Sequence, residues 1–116
     1  MTWSVDARIP VTLLPDDAAL TAALAQGKPA AVLGAGAPMD GVLTFTTDAT
    51  PHPAACDCCQ GRSPAADALD RLFQARVRGQ RAWFDRVLVL PGHGAAEAIR
   101  EALRQDVMAA ARFRLA

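Results

Sequence analysis

The chain has 116 residues, and its 12 Lys and Arg side chains balance 12 Asp and Glu side chains, so the formal net charge is zero. This length suits one domain with a modest core. Nucleic-acid binding needs an excess of positive charge, so we expect no nucleic-acid partner. No apolar run approaches the ~18 residues that a bilayer-spanning helix needs, so we expect no membrane partner and a cytoplasmic location.

Short apolar runs with β-branched residues predict the strands. Three of them cover residues 9–14, 30–33 and 42–46, and a longer one covers residues 84–90. After its first three residues the longer run is apolar throughout, which is typical of a strand covered on both faces. We expect Gly34 and Gly36 to end the second strand.

Three segments have helical periodicity. Residues 16–26 begin with two acidic residues and place Leu20 and Leu24 on one face. The apolar spacing of residues 95–104 predicts a second helix, which follows a tight Pro-Gly loop. The strongest pattern, residues 63–79, begins with Ser63 and Pro64. Apolar side chains then recur at helical spacing: Leu69, Leu72, Phe73 and Val77.

Strands that alternate with helices predict a small layered α/β domain with a mostly parallel sheet. We assign residues 9–116 to this single domain and residues 1–8 to an N-terminal extension. Residues 106–116 either extend the preceding helix or begin a last strand at Phe113. Residues 47–55, with two prolines and no periodicity, are expected to form a loop that leads to the cysteines.

All three cysteines of the chain, Cys56, Cys58 and Cys59, lie within four residues. In a reducing compartment such a cluster indicates a metal or redox site more than a disulfide framework. Zinc or another divalent transition metal prefers four ligands, so one more donor is needed. His52 lies on the same predicted loop. His93 follows a predicted strand, and the loops after parallel strands meet at one edge of the sheet.

Two other classes of function fit the same cluster. Cys56 and Cys58 could form a reversible disulfide in a thiol redox or sensor protein, although no predicted helix starts at the cysteines to lower a thiol pKa. Alternatively the cluster is a remnant, and the domain has an interaction role, pairing with another protein or with a second copy. Trp83 and Phe84 would then mark a contact surface, or they complete the core.

Three segments in order resemble the CobW-type metallochaperone GTPases: Ile9-Pro10-Val11-Thr12-Leu13-Leu14, Cys56-x-Cys58-Cys59 and Phe84-Asp85-Arg86-Val87-Leu88-Val89. In that family the first segment leads into the phosphate-binding loop, the second is the metal-binding motif, and the third leads to a Glu-Thr-Thr-Gly loop. The resemblance implies a P-loop-GTPase-like fold and a role in metal handling or trafficking. If the cysteines are only a remnant, it implies instead a non-catalytic partner of a genuine GTPase.

The chain departs from that family at every position that would handle nucleotide. A phosphate-binding loop needs glycines and a lysine, whereas Pro15, Asp16 and Asp17 follow the first strand here. The family's Glu-Thr-Thr-Gly falls near residues 90–93, which hold no acidic residue. We therefore expect a shortened, degenerate relative that binds metal but no nucleotide and has no catalytic residues.

Overall fold

The structure is a computed structural model that describes residues 7–47 and 63–116. These residues form five strands and four helices. In chain order the elements are β1 (Ile9–Leu13), α1 (Asp17–Ala25), β2 (Ala30–Ala35), β3 (Val42–Phe45), α2 (Pro64–Val77), β4 (Arg86–Val89), α3 (Ala95–Gln105), α4 (Val107–Arg112) and β5 (Phe113–Leu115).

The five strands form one sheet in the order β3-β2-β4-β1-β5, and every neighbouring pair is parallel. The predicted mostly parallel sheet is therefore confirmed. Consecutive strands of a parallel sheet need crossover connections, and helices supply those between β1 and β2, β3 and β4, and β4 and β5. Residues 36–41 join the neighbouring strands β2 and β3 without a helix. The ends of the sheet are the short strands β3 and β5.

Helices cover both faces of the sheet. On one face, Ala23 of α1 packs with Leu14 and Leu88. The larger core lies on the other face, where side chains from α2, α3 and α4, including Leu69 and Ile99, pack with strand residues. Burial on both faces explains why Val87, Leu88 and Val89 of β4 are all apolar, as the sequence pattern predicted.

Side-chain caps begin three of the helices. Asp16 accepts a hydrogen bond from the Ala19 amide (2.8 Å), and Ser63 accepts one from the Ala66 amide (3.1 Å). Asp106 does the same for α4. Each cap satisfies a backbone N–H that has no partner within its helix. The bounds of α1, α2 and α3 agree with the predicted helices to within about two residues.

Two predicted core positions are exposed instead. Leu24 is 50% exposed and Val77 is 63% exposed, and both lie in the last turns of their helices. Ala23 is the buried residue of α1, and in α2 three alanines are buried together with the predicted leucines: Ala65, Ala66, Ala68, Leu69 and Leu72. Periodicity therefore identifies the buried face of α2 but extends it one turn too far, to Val77, and in α1 it selects Leu24 where the neighbouring Ala23 is buried.

Strand β2 runs two residues beyond its predicted end, so Gly34 does not end it. A Cβ atom on Gly34 would lie 3.2 Å from Leu90 Cδ1 and 3.4 Å from Val42 Cγ1. The glycine is therefore explained by close packing between neighbouring strands. Gly36, at φ 111°, follows the strand in a conformation that favours glycine.

Both alternatives for residues 106–116 are realised in part. Asp106 ends α3 and caps the separate helix α4, and β5 then begins at Phe113. The two residues of the Trp83-Phe84 pair lie in different environments: Phe84 is buried in the core at 1% exposure, whereas Trp83 is 59% exposed. The Arg76 guanidinium stacks 3.6 Å from the Trp83 ring centroid and its Nε donates to the Phe84 carbonyl, so α2 holds this turn in place.

Candidate functional site

The loops after β2, β3 and β4 meet at the carboxyl edge of the sheet. Thr47, just beyond β3, donates a hydrogen bond from Oγ1 to the His93 carbonyl over 2.6 Å. On the other side, the imidazole ring of His93 lies over Gly36, where an added Cβ would be 3.4 Å from the His93 Cδ2 atom. These contacts bring His93 to the edge that its position after a parallel strand predicts.

The backbone of the loop after β4 is unusual. Gly92, His93 and Gly94 have φ angles of 96°, 56° and 73°, so three consecutive residues are left-handed. Positive φ costs a glycine little, but it is uncommon for a residue with a side chain. The neighbouring contacts from Thr47 and Gly36 hold His93 in this conformation, with its side chain exposed to solvent.

The helix after this loop begins without a side-chain cap. Gly94 is the N-cap residue of α3 and has no side chain with which to accept from the first turn. Backbone hydrogen bonds from Ala95 to the Gly92 carbonyl and from Ala98 to the Gly94 carbonyl fix the start of the helix. The loop geometry therefore presents His93 immediately before a helix N-terminus at the carboxyl edge.

The turn after β1 differs from this loop. It includes Pro15 and Asp16, and the Asp16 carboxylate accepts from the Ala19 amide at the start of α1. The N–H groups at the start of a helix are the ones that bind a phosphate in a phosphate-binding loop. At α1 a carboxylate occupies that position and brings negative charge of its own.

The remaining predicted metal ligands, Cys56, Cys58, Cys59 and His52, lie outside the described residues. The chain leaves the described part after Thr47, which contacts His93, and returns at Ser63. Cys56 is nine positions beyond Thr47, and a chain of that length spans at most ~30 Å. Covalent geometry therefore allows the cysteines to reach His93.

A small cavity lies close to the points where the described chain stops after Thr47 and resumes at Ser63. Its volume is about 260 Å³, and it opens between β3 and the first turns of α2. Thr46 and Pro64 line it, together with Asp67 and Arg71, which form an ion pair over 2.9 Å. Within residues 7–47 and 63–116, no group of three or more His, Cys, Asp or Glu side chains is arranged to hold a metal ion.

The sequence pattern selects His93 but not the residues that position it. It places Thr47 only in a loop and Gly36 only in a turn after a strand. No local signal distinguishes a threonine that bonds a loop 46 residues away from an ordinary solvent-exposed threonine. The repeated glycines around His93, in Gly92-His93-Gly94, are the one local indication of a special backbone.

Comparison of the chain with protein-family models, with curated proteins and with solved structures finds no match. In the part of the chain that the structure describes, no helix has both the length and the apolar character needed to cross a membrane.

Proposed function

We propose that the protein binds a divalent transition metal ion, zinc being the first candidate, and acts in metal handling or trafficking. Cys56, Cys58 and Cys59 supply thiolates, and His93 supplies the fourth ligand, with His52 as the alternative. Three thiolates and one imidazole form a set that zinc commonly uses. The metal is cargo in this proposal, so the affinity of the site matters more than any reaction at it.

The observation that carries the proposal is the contact between Thr47 and His93. It joins the start of the cysteine-bearing segment to the loop that carries the histidine. The imidazole is exposed at the carboxyl edge, where ligands bind in parallel α/β sheets. The resemblance to the CobW-type metallochaperones supports the same assignment through the order of Cys56-x-Cys58-Cys59 between the two matching strands.

We also propose that the chain binds no GTP. The turn after β1 holds neither glycine nor lysine, and the Asp16 carboxylate already accepts a hydrogen bond from the start of α1. A triphosphate would meet two carboxylates there, those of Asp16 and Asp17, where a phosphate-binding loop has a lysine. Isothermal titration with GTP and magnesium should give no heat of binding, and saturable binding that requires magnesium would contradict this part of the proposal.

Metal content tests the main proposal. We expect protein purified without oxygen to carry about one zinc ion per chain by elemental analysis, with the cysteine thiols unreactive until a chelator is added. Replacing all three cysteines by serine should abolish zinc binding. A wild-type sample that contains no transition metal and takes up none when titrated with zinc would refute the proposal.

Paired variants identify the fourth ligand. Asparagine tolerates positive φ, so His93→Asn removes the imidazole and keeps the loop conformation. We expect this variant to bind zinc at least about tenfold more weakly, with His52→Asn as the matched control that leaves affinity unchanged. The opposite ranking would assign the ligand to His52. Reversible oxidation of two thiols in metal-free protein would instead favour the redox alternative.

A further inference from the structure

A cleft of about 520 Å³ lies at the β5 end of the sheet. Four arginines from three parts of the chain line it, and two leucines contribute apolar surface: Arg8, Arg100, Arg104, Arg114, Leu103 and Leu115. One third of the 12 basic side chains of a neutral protein therefore converges on a single cleft. Net charge conceals this local concentration, because none of the described residues that line the cleft is acidic.

The carboxylates that pair with two of these arginines do not line the cleft. Glu97 pairs with Arg100 over 3.5 Å, with the two side chains 83% and 56% exposed, and Glu101 pairs with Arg104 on the exposed side of α3. Such exposed pairs contribute little free energy, so a binding partner can replace them at low cost. Each guanidinium has five N–H donors, which leaves donors available to an incoming carboxylate even while a pair persists.

The edge of the sheet adds backbone groups to the same place. The Ala116 amide donates to the Val11 carbonyl. The backbone N–H and C=O groups of the even-numbered residues here, Arg114 and Ala116, therefore point toward β1. Because backbone groups alternate along a strand, the N–H and C=O of Leu115 point away from β1, toward the outer side of the sheet. An edge strand with such groups can accept an added strand. The Leu115 side chain is 44% exposed beside them.

We propose that this cleft binds an extended, acidic segment of a partner protein. Carboxylates of the segment pair with the arginines, in geometry that suits the guanidinium fork. An apolar side chain of the segment packs on Leu103 and Leu115, and its backbone bonds to Leu115 as a short addition to the sheet. Charge complementarity selects the occupant. The proposal is independent of the metal site, which is assigned to the carboxyl ends of β3 and β4.

A labelled ten-residue peptide that alternates glutamate and valine tests this site by fluorescence anisotropy. We expect saturable binding that weakens as salt concentration rises, and no binding of the same peptide with glutamine in place of glutamate. The double variant Arg100→Gln/Arg104→Gln should weaken binding about tenfold. The matched control is Arg71→Gln/Arg78→Gln, which removes two exposed arginines on and beside α2 and should leave binding unchanged.

Thermal unfolding of all the variants should show that they remain folded, since every substituted arginine is exposed. Equal binding of the glutamine peptide, or equal loss in both double variants, would overturn the proposal. Competition between tripolyphosphate and the labelled peptide is a further test. If it displaces the peptide and binds more tightly, the cleft is a site for small polyanions and the assignment to an acidic polypeptide is wrong.

Discussion

Three consecutive left-handed residues position His93, the predicted metal ligand that lies among the described residues. Gly92 and Gly94 adopt this conformation at little cost, whereas His93 at φ 56° bears strain of about 1–2 kcal/mol. Strain of this kind persists only where surrounding contacts enforce it. Here the Thr47 hydroxyl and the surface of Gly36 do so. This conformation holds the exposed imidazole at the carboxyl edge of the sheet, where the proposed metal site lies.

Substitutions at His93 separate backbone strain from ligand chemistry. We expect His93→Val to lower the free energy of unfolding by about 1–2 kcal/mol, because a β-branched residue is especially disfavoured at positive φ. The reference is His93→Gly, which should be at least as stable as the wild type since it relieves the strain. Urea denaturation measures both. Equal stability of the two variants would show that the loop relaxes out of the left-handed conformation.

At the scale of the element, a single arginine joins α1 to the sheet. Arg86, the first residue of β4, donates from Nη2 to the Ala23 carbonyl (2.7 Å) and the Lys28 carbonyl (3.1 Å). Its Nη1 donates to Gln26 Oε1 over 3.3 Å. These carbonyls lie at and just beyond the last turn of α1, where helix carbonyls lack partners and a cation is favourable. Few apolar side chains of α1 pack against its face of the sheet, so the hydrogen bonds of Arg86 contribute a larger share of the interactions that attach α1 to the sheet.

We expect Arg86→Met to destabilise the domain by about 1.5–3 kcal/mol, because it removes the charged hydrogen bonds to the Ala23 and Lys28 carbonyls and to Gln26. Urea denaturation gives the free energy of unfolding. Arg78→Met is the matched control: Arg78 is exposed, and the same substitution there should cost less than about 0.5 kcal/mol. Similar losses in both variants would mean that the contacts of Arg86 do not stabilise α1.

At the scale of the whole molecule, the residues that the structure describes bury two apolar clusters, one on each face of the sheet. The five strands and four helices bury their apolar residues around the sheet, and Ile9 of β1 packs in the same core cluster as Phe113 of β5. A metal site attached to such a core differs from a zinc finger, which needs its metal in order to fold. Under the proposed function, we expect the ion to be released or acquired while the domain stays folded.

Metal removal should therefore leave the domain folded. We expect chelator-treated protein and the triple cysteine-to-serine variant to unfold cooperatively at the same temperature. Bound zinc should raise that temperature, by the equivalent of about 2.7 kcal/mol when the free ion exceeds its Kd a hundredfold. Circular dichroism during heating measures all three samples. An unfolded metal-free protein would contradict this and would make the site structural.

Much of the fold follows from local pattern. The apolar runs at β1, β3 and β4, the caps at Asp16 and Ser63 and the periodicity of α2 act over a few residues, so sequence alone predicts these elements and the parallel sheet. The errors share one cause. Spacing or residue type suggests the wrong environment for Leu24, Val77 and Gly34, because partners across the helix–sheet and strand–strand contacts decide it.

By itself, the sequence determined the alternation of strands and helices, the absence of glycine and lysine after β1 and the grouping of three cysteines, because each is a property of neighbouring residues. Tertiary structure alone decided that Thr47 meets His93 and that four arginines, separated by up to 106 positions, line one cleft. Strand order brings such residues together. That order depends on packing between distant segments, which no local pattern in this chain encodes.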